Sequence, residues 1–473
     1  MTCPVPPVLR LGAILIGATL AGCAVGPDYK GPPSVGDARS SFVRASSDAS
    51  TETPARRWWT QLNDPLLNDL IERTLRANPS VEVAMARLRE ARAALSAENA
   101  KELPNTGASA AYLRAHGLTS ALGAVSQGAS GDTNIYAIGF DATWEIDLFG
   151  AHRRAVEGAA ASLEGSRASL RDVYVSLSSE VAQSYIQLRD AQERLQLTER
   201  NIEIARRQLE LMKRRRAGGT ASELDVARLR NQLDTTQASL GPLQVEVVEQ
   251  MDKLSFLAGN TSGALDPELS AVTAVPMPPE TVMIGDPAGL LRQRPDIAAA
   301  ERKLAQQTAA IGQDMAALFP KLTLLGDVGF TAPTPRTLFN GSSFTYVAAP
   351  LLQWTPFDFG RNKARIEQAR SSRDEAEADY RRTVLAALQD AESALNRFGR
   401  QRNTVGDYAN AKSSAEQVYS FTEIRLRAGT ASTTDLLDAD SKRVQAQLSY
   451  QRAVAQLTTD FVAIQKSLGL GWD

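Results

Sequence analysis

Between Tyr136 and Leu148 apolar and polar residues alternate without a break. Tyr136, Ile138, Phe140, Ala142, Trp144, Ile146 and Leu148 fall on one side, and Ala137, Gly139, Asp141, Thr143, Glu145 and Asp147 on the other. A period of two predicts a β-strand with one greasy face and one small or polar face. A less regular version runs through Phe344, Tyr346, Ala348, Pro350, Leu352 and Trp354. Shorter alternating runs precede both, over Ala108, Ala110 and Tyr112 and over Leu322, Leu324, Val328 and Phe330. Segments of about ten residues bounded by turn residues suit the wall of a membrane β-barrel. A half-buried hairpin of a soluble sheet has the same period, and the pattern alone leaves both open.

Past Ala151 the period lengthens. No proline interrupts Ala151 to Arg216, where Leu170, Val173, Leu177, Val181, Ser184, Leu188, Ala191, Leu195, Thr198, Ile202, Ala205, Leu209 and Met212 recur at spacings of three and four. This predicts a single helix which, at 1.5 Å per residue, reaches about 100 Å. Its near-heptad stripe calls for supercoiled packing against neighbours. Gly219 suits the left-handed residue beyond a helix end, Arg214 to Arg216 complement the negative end of the dipole, and Ser222 opens a returning helix. These helices are too polar to be buried on every side, so the expectation is a coiled layer with one wet surface. A soluble helical scaffold fits the same pattern.

That turn is written twice. RAGGTAS, Arg216 to Ser222, returns as RAGTAS, Arg427 to Ser432, and Gly219, Thr220, Ser222 and Asp225 find Gly429, Thr430, Ser432 and Asp435 at a spacing of 210 residues. Upstream, Asn78-Pro79 and Leu103-Pro104 match Arg294-Pro295 and Phe319-Pro320 at 216; from Trp144 and Phe149-Gly150 against Trp354 and Phe359-Gly360 the spacing is 210. The six residues of difference belong between Pro104 and Trp144, where the first copy carries the Gly/Ser/Thr-rich stretch Gly117 to Thr133, because length changes belong in loops. An internal two-fold repeat follows. The expected division is a leader at 1–22, an N-terminal linker at 23–60, a first repeat at 61–275 and a second at 276–473. Each copy reads as helix, strand, loop, strand, very long helix, turn, helix.

Two strands per copy make four per chain. Open sheet edges do not face lipid, and closed membrane barrels have about eight strands or more. If the strands span a membrane, copies must associate, two giving eight strands and three giving twelve.

Composition narrows the partners. The balance of 52 basic and 54 acidic residues provides no broad basic field, which argues against nucleic acid. Arg10 precedes an apolar run, Leu11 to Ala21, too short to span a bilayer and ending in Leu20-Ala21-Gly22-Cys23. This looks like a bacterial lipoprotein signal with Cys23 as the acylated first mature residue, an unlipidated signal peptide being the alternative. By the same resemblance Ala24, rather than Asp, after the cysteine implies sorting to the outer membrane. The other cysteine, Cys3, leaves with the leader, so no thiol remains for a disulfide, a metal or catalysis. His116 and His152 lack metal-ligand spacing, and no phosphate-binding loop or nucleophile elbow appears. The chain does not read as an enzyme, and its only expected prosthetic chemistry is diacylglycerol and palmitate on Cys23.

Gly26-Pro27-Asp28-Tyr29, Trp58-Trp59, Asp64-Pro65, Leu291 to Ile297, Ala316 to Pro320 and the stretch from Arg427-Ala428-Gly429 to Asp435-Leu436-Leu437-Asp438-Ala439 resemble signatures of the outer-membrane factor family, the TolC-like efflux ducts, in its NodT-type lipoprotein branch. The resemblance spans essentially the whole mature chain. It implies a mainly α fold with a membrane β-barrel: a homotrimer with a twelve-stranded barrel in the outer membrane, a periplasmic α-helical coiled-coil tunnel and an equatorial collar. It also implies two partners, an inner-membrane RND-type transporter and a periplasmic membrane-fusion adaptor, with the duct conducting passively and lipid-anchored in a Gram-negative outer membrane. A structural coiled-coil envelope lipoprotein without transport is the alternative.

The resemblance extends to the tips. Acidic residues that constrict the family's periplasmic entrance match Asp435 and Asp438, and the small residues Gly218, Gly219, Thr220, Ala221 and Ser222, with Gly429, Thr430, Ala431 and Ser432, match adaptor contacts. Six carboxylates around a three-fold axis would repel one another and attract cations. The spacing Ser222 to Asp225, and likewise Ser432 to Asp435, also fits a helix N-terminal capping arrangement. Ala431 and Leu426 stand where the family often has basic and aromatic latch residues.

Overall fold

The computed structural model describes residues 24–35, 41–45, 49–116 and 132–472. The leader, Cys23 and the stretch 117–131 lie outside the described residues. Ten helices and six strands follow one another among these residues: β1 (Ala49–Ser50), α1 (Pro65–Ala77), α2 (Pro79–Ala100), β2 (Asn105–His116), β3 (Asp132–Ile146), α3 (Ala151–Ala217), α4 (Glu223–Ala238), α5 (Leu240–Leu257), α6 (Asp266–Leu269), β4 (Val282–Met283), α7 (Pro287–Gln293), α8 (Pro295–Ala316), β5 (Lys321–Ala332), β6 (Phe344–Gln353), α9 (Arg361–Arg427) and α10 (Thr433–Ser467), with short 3₁₀ turns between. α3 and α9 are 67 residues each and start 210 apart. α2 and α8 are 22 residues each, β2 and β5 are 12 each, and both pairs start 216 apart. The shift from 216 to 210 therefore falls beyond the ends of β2 and β5, in the connection to the next strand. Among the described residues no helix is long and apolar enough to cross a membrane.

The chain divides into two compact units, each taking segments from both sequence halves. Unit 1 (Met1–Pro33, Leu88–Ser166, Ala300–Tyr380) contains an antiparallel sheet in the order β2-β3-β5-β6. Its register stacks the apolar positions in rows across the strands. Ala110, Ile138, Phe330 and Phe344 share one row, Ala108, Phe140, Val328 and Tyr346 the next, and Trp144, Leu324 and Pro350 a third. The opposite face carries Gly107, Asp141, Asp327 and Val347, then Ser109, Gly139, Gly329 and Thr345. The two middle glycines are needed there: a Cβ on Gly329 would lie 2.4 Å from the Ile138 carbonyl oxygen.

Below the sheet each copy makes one matching contact. Trp144 Nε1 donates to the Glu102 carbonyl at 2.9 Å, and Trp354 Nε1 to the Leu318 carbonyl at 3.1 Å. Tryptophan here tucks its apolar ring along the chain while its N–H finds a partner.

Unit 2 (Ser34–Arg87, Arg167–Ala299, Arg381–Asp473) holds the main core. The expected stripe is buried at Leu177, Val181, Ser184, Leu188, Ala191, Thr198, Ile202, Ala205 and Leu209. The one wet surface narrows in the middle of α3 to a strip through Glu180, Gln183 and the exposed Gln187. Ser178, Ser179, Ala182 and Ile186 lie off the stripe and are fully buried as well. Segments distant in sequence cover that side: the Tyr185 hydroxyl donates to Asp64 Oδ2 at 2.7 Å, and Arg189 donates to the carbonyls of Leu269 and Ala271 at 3.1 and 2.6 Å. Small residues off the stripe let those segments come close. Trp58 packs edge-on against Phe461, with ring centroids 6.1 Å apart.

The two returning helices differ for a local reason. α10 is continuous, whereas its counterpart breaks at Ser239 into α4 and α5. Pro242 stands three residues past the break, and its missing N–H leaves the Ala238 carbonyl without an i→i+4 partner.

Candidate functional site

The wall surface comes first. The apolar face of the sheet is uncovered across all four strands, with Tyr112, Ile138, Phe140, Val328, Phe344, Tyr346 and Leu352 all exposed, Tyr346 to 75%. A contiguous exposed apolar face of this size marks contact with lipid or protein. β2 and β6 are the sheet's outer strands, each paired on one side only.

The helix tips are built by the backbone and two side chains. At the first, Gly219 takes φ 73° and Thr220 N donates to the Arg215 carbonyl at 2.9 Å; at the second, Gly429 takes φ 72° and Thr430 N donates to the Arg425 carbonyl at 2.8 Å. This six-to-one closure needs a residue comfortable at positive φ, which glycine is. Ser222 N and Oγ then donate to Asp225 Oδ2 at 3.0 and 2.6 Å, and Asp225 N donates back to Ser222 Oγ at 3.2 Å. The second tip repeats the box between Ser432 and Asp435 at 2.8, 2.7 and 3.2 Å. Gly218, Gly219, Thr220 and Ser222, with Gly429 and Thr430, are exposed, while Ala221, Ala431 and Ser432 are half-buried.

Both aspartates therefore serve as capping residues in the single chain. The backbone N–H and hydroxyl of Ser432 hold the Asp435 carboxyl below the ordinary carboxylate range, helped by Arg425 and by Arg215 of the first tip. That direction opposes the rise expected from mutual repulsion in a carboxylate ring, because one chain brings donors and cations to Asp435 and no second copy. Asp438 lies outside the capping box. Its carboxylate accepts from Lys442 Nζ at 2.8 Å, one turn on, and remains more than half exposed.

Two features carried no sequence signal that the patterning could read. Gly26-Pro27-Asp28-Tyr29, in a stretch that composition marks only as linker, is clamped in unit 1. Arg154 donates to Asp28 Oδ1 at 2.6 Å and to the carbonyls of Val25 and Gly26 at 3.2 and 3.3 Å, and the Tyr29 hydroxyl donates to Glu301 Oε1 at 3.0 Å. Burial, then the Glu301 charge, pushes the Tyr29 phenol well above its ordinary value. In unit 2, burial first and then neighbouring Asp190 push Glu193 up to about 7. The first cluster joins residues that only folding brings together; Asp190 and Glu193 are neighbours on one helix, and what folding adds there is the burial.

A sheet with one uncovered greasy face and two open edges, in a chain whose long helices fold back at capped tips, defines the class of outer-membrane channel proteins. The family model for outer membrane efflux proteins matches residues 70–260 and 287–470, and the chain belongs to this family. It is 28% identical over 455 residues to Nodulation protein T of Rhizobium leguminosarum bv. trifolii, covering 96% of each chain. With the pyoverdine export outer membrane protein OpmQ of Pseudomonas putida it shares 30% identity over 452 residues, covering 93% of this chain and 94% of that one. The solved structure of the outer-membrane channel OprN superposes with a TM-score of 0.86 at 33% identity, covering 95% of this chain and all of that one. The protein is accordingly an outer-membrane protein of the efflux class. The alternative of a structural lipoprotein without transport finds no support in these relationships.

Proposed function

We propose that this chain is the exit duct of a tripartite efflux pump, a homotrimer whose four-stranded sheets close a twelve-stranded barrel in the outer membrane above a periplasmic helical tunnel. The observation that carries the reading is the sheet itself, with an apolar face exposed across four strands and both edges unpaired. Such edges persist in lipid only if other copies complete them. The tip half of α9 agrees with association, since Val418, Phe421 and Ile424 leave an apolar strip exposed. The recurrence of elements at spacings of 216 and 210 supports two copies of one unit per chain, so that three chains approach six-fold symmetry.

In this reading Cys23 carries diacylglycerol and palmitate, and the Arg154 clamp fixes the chain just beyond that anchor. The exposed tips at 218–222 and 429–432 receive a periplasmic membrane-fusion adaptor, which couples the duct to an inner-membrane RND-type transporter. Asp435 and Asp438 line the periplasmic constriction. Asp435 then has two roles, its cap orienting a carboxylate that still faces solvent. The duct uses no energy of its own and carries no catalytic group.

The test is electrical. The purified full-length protein, inserted in planar bilayers, is expected to pass ions in discrete steps, and light scattering in detergent is expected to give the mass of three chains. A protein that inserts and passes no ions would end the duct reading.

A further inference from the structure

In unit 2, segments from distant parts of the chain enclose a cleft of about 320 Å³. The 3₁₀ turn Trp58–Leu62 brings Trp59 to it, α1 brings Glu72, Leu75 and Arg76, α3 brings Tyr174, and the stretch beyond α10 brings Trp472. Local chemistry explains why they meet. Trp58 is wholly buried and Trp59 stands edge-on to it, ring centroids 5.8 Å apart, so the turn is pinned through its tryptophans. Gly471 takes φ 117°, and a Cβ there would lie 2.4 Å from Ser178 Oγ of α3, so glycine is what lets the C-terminal stretch lie against that helix. Trp472 Nε1 donates to the Gly469 carbonyl at 2.9 Å, which satisfies its one polar atom and leaves the ring to line the cleft.

Charge sets what the cleft can hold. Arg57, also in its wall, is ion-paired with Glu72, so those two cancel. Arg76 is exposed and has no hydrogen-bond or ion-pair partner among the described residues, which leaves one positive charge unanswered in the wall. Arg56 and Arg171 stand over the Trp472 ring, their guanidinium carbons 4.9 and 4.3 Å from its centroid, and neither has a carboxylate partner among the described residues. The planar fork of an arginine is matched to carboxylate or phosphate oxygens. Arginines that lack one, gathered around a single aromatic cleft, call for an anion from outside the chain. Glu72 in the wall penalises a second negative charge, which favours a monoanion over a phosphate dianion. The volume lies at the lower end of small-molecule sites, which start at roughly 300 Å³, and suits a fused-ring molecule rather than a protein segment.

We propose that this cleft binds a small monocarboxylate built on a flat ring, with the ring against Trp472 and Tyr174 and the carboxylate on Arg76. Its residues all belong to unit 2, and the site does not depend on the duct reading. A bound ligand ties the N-terminal turn, α1, α3 and the C-terminal stretch together, and so stabilises this unit by mass action.

The experiment is equilibrium dialysis of 2-naphthoate against the full-length protein in detergent, with protein-free micelles in the opposite chamber so that partition into detergent cancels. Saturable binding of about one molecule per chain is expected. The neutral alcohol of similar shape, 2-naphthalenemethanol, is expected to bind about tenfold more weakly or worse, because it forfeits the charge-assisted bond. Arg76→Gln should bring 2-naphthoate down to the level of the alcohol and leave the alcohol unchanged, whereas Trp472→Leu should weaken both. Equal binding of carboxylate and alcohol to the unaltered protein, a comparison that needs no variant to fold, would reduce the cleft to an apolar patch and overturn the proposal. The absence of saturable binding overturns it too, as does an Arg76→Gln protein that holds 2-naphthoate as tightly as before. None of these outcomes bears on conductance, by which the duct reading stands or fails separately.

Discussion

Removing the Arg154 guanidinium should free the segment that follows the expected lipid anchor. Its side chain is only 6% exposed and donates to the Asp28 and Glu157 carboxylates at 2.6 and 2.7 Å and to two backbone carbonyls. Hydrogen bonds to charged groups contribute about 1.5–3 kcal/mol each when deleted singly. The sum is far smaller here, because Asp28 is largely and Glu157 partly open to water, and both rehydrate once the arginine is gone. We take about 2 kcal/mol of local stability, below the usual cost of breaking a buried pair. That corresponds to about a 30-fold larger open population. Lys30 follows the clamp directly and is exposed, so trypsin reports the opening at the Lys30–Gly31 bond. Where reclosing outpaces cleavage, the rate tracks the open population. Arg154→Ala should be cut about 30-fold faster at this bond, Asp28→Asn by a smaller factor because the carbonyl bonds survive, and cleavage elsewhere should stay unchanged. Wild-type cleavage of Arg154→Ala at Lys30 would refute the clamp.

Three other outcomes follow from named groups. Asp435→Asn with Asp438→Asn removes charge while leaving acceptor atoms for the cap, so cation selectivity of the closed channel in planar bilayers should fall; unchanged selectivity removes both residues from the constriction. Ser432→Ala breaks the capping box, and amide hydrogen exchange should quicken at Thr433 to Asp435 with the distant core unaffected. Glu193 has a folded pKa raised to about 7 from 4.5, so the folded state holds its proton more tightly and that advantage is lost as pH rises from about 4.5 through 7. Glu193→Gln should therefore raise the unfolding temperature at pH 8 and change it little at pH 4, and an equal gain at both values would count against the buried acid.

Much of the architecture was legible because the informative signals are local or periodic. The alternation at Tyr136 to Ile146 located β3, the proline-free run located α3 to within a residue at its C-terminal end, and the doubled glycine turn located both tips. At the candidate site the Ser–Asp spacing carried the capping boxes, since a box is made by residues three apart. The linker reading of Gly26 to Tyr29 was blind to Arg154 and Glu301, which lie more than a hundred residues away. The wet surface expected along α3 is reduced around Ser178 to Ile186 to a narrow polar strip, because helix polarity averaged over many turns says nothing of what folds onto one of them.

The sequence by itself determined the period of each segment, the turn chemistry and the duplication, all properties of residues within a few turns or strands of one another. Only the tertiary structure decided which strands are neighbours, which two edges stay open, and which charged groups are clamped or buried. Those depend on long-range packing and on water excluded from particular places, and neither has a signature in the spacing of residues along a chain.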